Sequence, residues 1–377
     1  MRKSTILITL LALLVLQGCS NSRPALADLP PLKNKVDLGT DWRSGVDGNF
    51  GESSERFNLV LDSDSLFFVT DKGTLYELGQ NRGKEKRVFP TGYKASSGVT
   101  RHDDVLYFGT YDAKLVAASL ASKSVLWEKT LSSELLSEAA YAAGKLAIQT
   151  ADGWISVLDA TTGETQWRAK EDLPSLTVRG TSAPVIKNGK VIVGFASGKL
   201  KAYELQTGSL VWSYDVGKPE GRYEIERLSD INGRLVVDNG VVYAVAYNGT
   251  LVALSIESGR PLWQRNISSS VGVAVKGELL VAVDMKSNVI ALNAKNGNEV
   301  WKNSELEERD LITPEFFRDY VAVMDRGGYV HLLDLVTGEV AAQRLADGKV
   351  PPGSRMVTND KQMFILTPNS NVTALSY

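Results

Sequence analysis

The stretch that decides the fold is NVIALNAKNGNEVW, residues 288–301. It starts with a mostly apolar run, passes through a polar turn that ends in Gly297, and reaches Trp301 four residues later. An apolar run followed by turn residues and a second short run predicts a β-hairpin. Related stretches elsewhere in the chain turn this local prediction into a prediction of the whole fold.

Counting this stretch, the motif occurs eight times along the chain. Five clear copies end in a Trp: Trp127, Trp167, Trp212, Trp263 and Trp301. Two degraded copies have Arg87 and Ala342 in the Trp position, and the last copy stops with the chain. The first strand residues of the eight copies are Leu75, Leu115, Ile155, Leu200, Leu251, Val289, Val330 and Val372. Self-similarity with a period of about 40 residues indicates stacked supersecondary units.

The sequence between the copies supplies two more strands per period. Between Trp167 and Leu200, for example, the runs APVI and KVIVGF flank the pair Asn188–Gly189. Asn-Gly between apolar runs predicts a tight hairpin, because both central residues need positive φ. Each period therefore holds four short antiparallel strands and no helix. The sequence predicts an all-β fold, an eight-bladed β-propeller of four-stranded antiparallel blades.

The two ends of the chain are expected to complete one blade together. The last copy ends at Tyr377, before it can supply its Trp-bearing strand, while Trp42 in VDLGTDWRSGV has no repeat in front of it. We expect residues 36–46 to pair with the last blade and close the ring, because open ends would leave unpaired strand edges. The motif Trp residues are expected to pack between neighbouring blades. The glycines four residues before them are expected to adopt positive φ.

The first residues have the pattern of an export signal. Arg2 and Lys3 precede an apolar run that is followed by LQGC, and this ending resembles a bacterial lipobox. Cys19 is the only cysteine in the chain and would be the acylated residue. Such a lipidation, with palmitate or a related acyl chain, would anchor the protein stably. By the sorting pattern of Gram-negative lipoproteins, Ser20 in the next position indicates the periplasmic face of the outer membrane.

The domain organisation follows from these features. We predict a lipoprotein signal peptide over residues 1–18, a lipidated tether over 19–35 that is rich in Pro, and the propeller over 36–377. The formal net charge is −2, and no basic patch indicates a nucleic-acid partner.

No catalytic constellation appears in the sequence. The nucleotide-binding and nucleophile-elbow motifs are missing. The two histidines, His102 and His331, are too far apart in sequence for a local metal motif, and His331 is expected to be half-exposed. DSDS at 62–65 begins like a calcium loop but lacks its later residues, so we expect a hairpin turn there. We therefore expect no metal site and no catalytic residues.

Two irregular connections stand out from the regular blades. The segment EDLPSLTVRGTSAP, residues 171–184, contains Leu176, Val178 and Arg179, and the longest insertion covers 217–232. Long loops on rigid scaffolds often carry binding sites, and aliphatic side chains beside an Arg favour a protein interface. The alternative is that Leu176 and Val178 begin a strand and face the core.

These features together resemble the BamB family, the propeller lipoproteins of the outer-membrane β-barrel assembly machinery (BAM complex). The most specific segments are LPSLTVRGTSAP (173–184), YEIERLSD (223–230) and VVYAVAYNGTLVAL (241–254). The resemblance implies a surface that contacts the periplasmic POTRA region of BamA, made by Leu176, Val178, Arg179 and Asp230. A second acidic residue that the family pattern expects is Asn232 in this chain.

The resemblance also implies a non-enzymatic role. The protein would be a scaffold that supports BamA in folding and inserting outer-membrane proteins, with nascent chains as a further candidate partner, and through BamA it would join the other assembly lipoproteins. One alternative is a small quinoprotein-like dehydrogenase that depends on pyrroloquinoline quinone (PQQ), since such enzymes share the Trp-docked propeller. They are usually longer and often carry a vicinal cysteine pair, whereas this chain has only Cys19. Another alternative is a periplasmic propeller that binds a different envelope ligand.

Overall fold

A computed structural model describes residues 25–48, 56–178, 180–346, 355–367 and 371–377. The predicted signal peptide, Cys19 and Arg179 lie outside these ranges. The described residues form eight four-stranded antiparallel sheets in chain order, which confirms the predicted eight-bladed propeller. No helix in the described part of the chain combines the length and the apolar character needed to cross a membrane.

The strands are short and alternate with tight turns. Blade 8 contains β1 (Gly39–Gly45), β30 (Met356–Thr358), β31 (Met363–Thr367) and β32 (Asn371–Ser376). Blade 1 contains β2 (Val60–Asp62), β3 (Ser65–Val69), β4 (Thr74–Gly79) and β5 (Glu85–Pro90). Blade 2 contains β6 (Ala95–His102), β7 (Val105–Thr110), β8 (Lys114–Ser119) and β9 (Ser124–Thr130). Blade 3 contains β10 (Ala140–Ala142), β11 (Lys145–Gln149), β12 (Trp154–Asp159) and β13 (Thr165–Lys170).

The remaining four blades repeat this plan. Blade 4 contains β14 (Val185–Lys187), β15 (Lys190–Gly194), β16 (Lys199–Glu204) and β17 (Leu210–Asp215). Blade 5 contains β18 (Val236–Asp238), β19 (Val241–Val245), β20 (Leu251–Ser255) and β21 (Pro261–Arg265). Blade 6 contains β22 (Val273–Lys276), β23 (Leu279–Val283), β24 (Val289–Asn293) and β25 (Glu299–Asn303). Blade 7 contains β26 (Glu315–Phe317), β27 (Tyr320–Met324), β28 (Tyr329–Asp334) and β29 (Val340–Leu345).

The innermost strand of each blade, which is β30 in blade 8 and the first strand in chain order in the other blades, lies at the centre of the ring, where the innermost strands of neighbouring blades contact one another. The second and third strands are almost fully buried between adjacent sheets, and the fourth strand forms the rim. Because each blade is a four-strand meander, its second turn and its connection to the next blade emerge at the same end. We call this end of the propeller the connection face.

The ring is closed as predicted. β1 pairs antiparallel with β32, from Gly39 opposite Ser376 to Gly45 opposite Asn371, and so provides the fourth strand of blade 8. The indole N–H of Trp42 donates to the carbonyl of Gln80 in blade 1, at 2.7 Å. Trp42 is therefore the motif Trp of the last blade.

Each motif Trp docks on the next blade. Trp263, for example, donates from Nε1 to the carbonyl of Ala294 at 2.8 Å, and Trp301 donates to Leu335 at 3.0 Å. The turn glycine of the next blade lies against the indole: a Cβ on Gly297 would be 2.7 Å from Trp263. Gly297 also has the expected positive φ of 70°. The motif Gly is therefore needed twice, for its backbone conformation and for the close approach of the indole.

Where Arg87 replaces the motif Trp, polar contacts hold the seam. Arg87 bonds Glu77 in its own blade, and its guanidinium reaches Asp104 of blade 2 at 2.5 Å. An ion pair thus replaces the indole between blades 1 and 2. The segment 62–65, where a calcium loop was the alternative, is the turn between β2 and β3, with Asp62 opposite Ser65.

The described part of the predicted tether is docked on the propeller. Residues 27–35, which we call the strap, lie along β29 at the rim of blade 7. The backbone N–H of Lys35 donates to Ala341 at 2.7 Å, and the side-chain amide of Asn34 exchanges two hydrogen bonds with the backbone of Gln343. Residues 27–35 are therefore bound to blade 7 and do not form a free tether. The sequence did not indicate the docking, because the strap has no periodic pattern.

Candidate partner-binding surface

The two irregular connections lie side by side on the connection face. Residues 171–184 join blade 3 to blade 4, and residues 216–235 join blade 4 to blade 5. The second connection contains a short 3-10 helix, Glu224–Arg227, whose first turn is acidic. Neither connection adds a strand to the blades, since β14 begins only at Val185. The alternative in which Leu176 and Val178 begin a core strand is therefore not what the structure shows.

A pair of polar side chains holds the two connections together. The Asp230 carboxylate accepts a hydrogen bond from the backbone N–H of Val178 at 2.9 Å. The side-chain amide of Asn232 donates to the carbonyl of Val178 at 3.2 Å. The carbonyl of Asp230 accepts from the backbone N–H of Tyr247 at 2.9 Å, which ties this arrangement to blade 5. Both polar groups of the Val178 backbone are thus fixed by the neighbouring connection.

Asp230 is buried, with 1% of its surface exposed. Burial raises the pKa of Asp230 to about 6, and the backbone hydrogen bonds, including the one from Val178, oppose that rise. The resemblance implies that Asp230 contacts the partner directly, but in the structure its carboxylate lies behind Val178. Asn232, at the position where the family pattern has an acid, bonds the same residue from the other side. Both residues position the loop; Asp230 is buried, and Asn232 is half-buried.

The outer surface of the two connections presents large apolar side chains among charged ones. Leu173 and Leu176 from the first connection, and Tyr223 and Ile225 from the second, are exposed. The hydroxyl of Ser175 donates to Glu224 at 3.0 Å and links the two parts. We call these exposed residues, with Val178, the loop surface. Val178 itself is half-buried at its edge.

A cavity of about 410 Å³ opens beside this surface. Its walls come from both connections and include Leu173, Leu176, Pro219 and Arg227. A concave, largely apolar site with a few charged groups fits an inserted side chain of a protein partner. Tyr223 and Ile225 were not singled out from the sequence. The sequence feature that marks them is a pair of apolar residues separated by Glu224 in an otherwise charged loop.

The expectation for His331 was wrong. Its side chain is fully buried, and its Nε2 lies 2.9 Å from the Asp325 carboxylate. Arg309 contacts the same carboxylate at 2.6 Å and also donates to the carbonyl of Ala27 in the strap. Burial alone would raise the pKa of Asp325, but the hydrogen bonds from His331 and Arg309 outweigh it and hold that pKa below its usual range. The cluster is a structural support for the strap.

The other predicted polar sites are ordinary surface features. His102 stacks on Tyr141, with ring centroids 4.0 Å apart. In the ranges that the structure describes, no three His, Cys, Asp or Glu side chains are grouped as ligands for a metal ion.

Comparison with known proteins places the chain in a family. The family model described as "Outer membrane protein assembly factor BamB" matches residues 87–303. The protein of that name from Yersinia pestis is 31% identical over 378 residues, which covers 96% of each chain. The crystal structure of BamB from Moraxella catarrhalis superposes with a TM-score of 0.81 at 24% identity, covering 90% of this chain and 100% of that one.

A second class of solved structure shares only the fold. A quinohemoprotein alcohol dehydrogenase from Pseudomonas putida superposes with a TM-score of 0.67 at 12% identity, covering 92% of this chain and 78% of that one. At this identity the likeness extends to the propeller and not to chemistry. The match of the family model and the identity over nearly the whole length are decisive, and the chain belongs to the BamB family of outer membrane protein assembly factors.

Proposed function

We propose that this chain is a non-enzymatic scaffold of the outer-membrane β-barrel assembly complex. It binds the periplasmic POTRA region of BamA through the loop surface and so aids the folding and insertion of outer-membrane proteins. The observation that carries the proposal is the loop surface itself: exposed apolar side chains from two connections that are locked together at Val178.

The chemistry of the loop surface fits a protein partner. Leu176, Tyr223 and Ile225 are exposed on a rigid scaffold, and such aliphatic and aromatic side chains are typical anchors of interfaces. The hydrogen bonds from Asp230 and Asn232 hold the connection in one conformation before binding, which lowers the entropic cost of association. Arg179, which follows Val178 in the sequence, would add a charged contact to the partner.

The proposal includes a lipid anchor. Cys19 would carry the acyl chains and hold the propeller at the periplasmic face of the outer membrane. Metabolic labelling with a palmitate analogue tests this part: wild type should incorporate the label, and Cys19→Ala should not. Label in the variant would contradict lipidation at this residue.

Affinity capture from mild-detergent outer-membrane extracts tests the partner. We expect wild type to retain BamA. The Leu176→Asp and Ile225→Asp variants should each retain about tenfold less BamA, because a charge in an apolar anchor site disfavours binding. Leu126→Asp, at an aliphatic residue of β9 whose exposure lies between those of Leu176 and Ile225, is the matched control and should bind normally. Unchanged capture by folded Leu176→Asp and Ile225→Asp variants would contradict the proposed surface. Dehydrogenase activity with added PQQ and Ca²⁺ would contradict the non-enzymatic role.

A further inference from the structure

The strap shows how this propeller binds an extended segment at its rim. As the strap runs from Asn34 to Lys35, its partners on β29 run from Gln343 to Ala341, so the two segments are antiparallel. Leu32 packs against the buried cluster that contains Leu333. The strap thus combines backbone hydrogen bonds to an outer strand with an aliphatic side chain in the seam between two blades.

The outer strands share one irregularity that the strap uses. In each blade, the residue just before the Trp position is a bulge residue that has no partner in the neighbouring strand; in blades 6 and 7 these are Val300 and Ala341. The carbonyl of Ala341 accepts the hydrogen bond from Lys35, and this residue is only 2% exposed. Val300 is 52% exposed. The bulge position is therefore covered by the strap in blade 7 and exposed in blade 6.

A cavity of about 460 Å³ lies at the rim between blades 5 and 6. The repeat offset from Val289 to Val330 is 41 residues, and the same offset relates residues that line this cavity to residues around the strap. Leu292 corresponds to Leu333, and Lys302 corresponds to Gln343. The cavity is therefore the blade 6 counterpart of the groove that the strap fills in blade 7.

The cavity combines an apolar floor with cationic walls. Ile267, Met285 and Leu292 supply the apolar part. The guanidinium of Arg265 donates to the backbone carbonyl of Gly297 and to the side-chain oxygen of Asn298, at 2.6 and 2.9 Å. Both acceptors are neutral, so they fix the guanidinium in the cavity wall without offsetting its positive charge.

The acidic residues of the cavity offset these cations only in part. The walls also include Lys286, Lys302, Asp284 and Glu299, and Lys286 forms an ion pair with Glu307 at 3.9 Å, so Arg265 and Lys302 are the cations left for a ligand. Asp284 accepts hydrogen bonds from the backbone N–H groups of Lys286 and Asn288, so its carboxylate is committed to the local turn. The cavity thus favours a segment that carries an aliphatic side chain and a carboxylate.

We propose that this cavity and the open edge of β25 form a docking groove for an extended, acidic segment of another polypeptide. The segment lies antiparallel to β25, as the strap lies along β29, with its aliphatic side chain over Leu292 and its carboxylate near Lys302. Main-chain hydrogen bonds of an added strand supply affinity, and the side-chain contacts supply selectivity. The groove shares no residue with the loop surface, so binding to it can be tested without BamA.

A synthetic peptide derived from the strap tests the groove. The probe is ALADLPPLENEV, which is residues 25–36 with Lys33→Glu and Lys35→Glu, labelled with a fluorophore and titrated with the full mature chain. We expect saturable binding below about 1 mM. Val300→Asp and Lys302→Glu should each weaken it by about tenfold, and Lys187→Glu, an exposed charge change on β14, should leave it unchanged.

A crosslinking arm identifies where the peptide binds. A benzophenone version of the same peptide should crosslink to residues between 265 and 302. Crosslinks only to residues 308–346 would mean that the peptide displaces the strap from blade 7, and this would overturn the proposal. So would the absence of saturable binding, or equal affinity in wild type and in the Lys302→Glu variant, a surface change that leaves the fold intact.

Discussion

The Asp230 carboxylate and the backbone N–H of Val178 are joined by a 2.9 Å hydrogen bond across 52 residues of sequence. Removing the acceptor would leave a partly buried N–H without its partner, which costs about 1–3 kcal/mol. We expect Asp230→Ala to speed amide hydrogen exchange at Val178 and to weaken BamA capture, while Asp230→Asn, whose side-chain carbonyl still accepts, keeps both near wild type. Equal exchange at Val178 in the two variants would show that this bond does not hold the loop.

The raised pKa of Asp230 predicts a pH dependence of stability. The pKa is about 6 in the folded chain against an ordinary value of 3.8, so the folded state binds the proton more tightly than the unfolded state. The contribution of this group to stability is therefore greatest below about pH 4 and is lost as the pH rises through about 6. The difference between these two pKa values corresponds to about 3 kcal/mol in the free energy of unfolding.

Asp230→Asn removes this titration. Relative to wild type, the variant should gain stability between about pH 4 and pH 7 by up to about 3 kcal/mol. The free energy of unfolding in urea at both pH values measures the effect. A stability difference that is the same at the two pH values would refute the assignment.

The Trp–Gly seam predicts unequal effects of two similar substitutions. Gly297 has φ of 70° and lies against Trp263, whereas Gly277 has φ of 62° and no atom within 4 Å of an added Cβ. Gly277→Ala should cost only the backbone strain, about 1 kcal/mol. Gly297→Ala should cost about 1–3 kcal/mol more, because the indole must move. Thermal unfolding of both variants checks this, and equal losses would mean that indole packing does not select the glycine.

The buried cluster of Arg309, Asp325 and His331 beneath the strap predicts that a substitution in the cluster releases the strap from blade 7. Arg309→Ala removes the donor to Ala27 and leaves the Asp325 carboxylate with one partner fewer in a buried site. We expect a loss of about 3–5 kcal/mol in stability and faster proteolysis within residues 25–35. Lys35→Ala, which breaks an ion pair between two exposed side chains, should change stability by less than about 1 kcal/mol. Unchanged protection of the strap in the Arg309→Ala variant would contradict this role.

The propeller was predictable because its information is local and repeated. The spacing from Leu251 to Trp263, or from Val289 to Trp301, encodes strand, turn and strand without reference to distant residues. The closure by residues 36–46 followed from counting strands in the incomplete last copy. Local patterns were sufficient for these features.

The details of the site were less predictable, because they depend on contacts between distant segments. Asp230 lies in a charged loop, and only its position behind Val178 makes it buried. His331 occupies a position that is mixed in other copies, and it is buried together with Asp325 and Arg309 beneath the strap. The burial of Asp230 and of His331 does not produce a periodic pattern in the sequence.

The pairing of β1 with β32 also has a consequence for biogenesis. The side chain of Arg43 meets that of Thr373 across 330 residues, so β1, which is synthesised early, finds its partner strand only when the end of the chain has been made. Strand pairings this remote in sequence form slowly, since a long loop must close first. The chain can therefore complete its ring only after its C-terminal strand has been synthesised, and until then β1 presents an open edge to which chaperones or proteases have access.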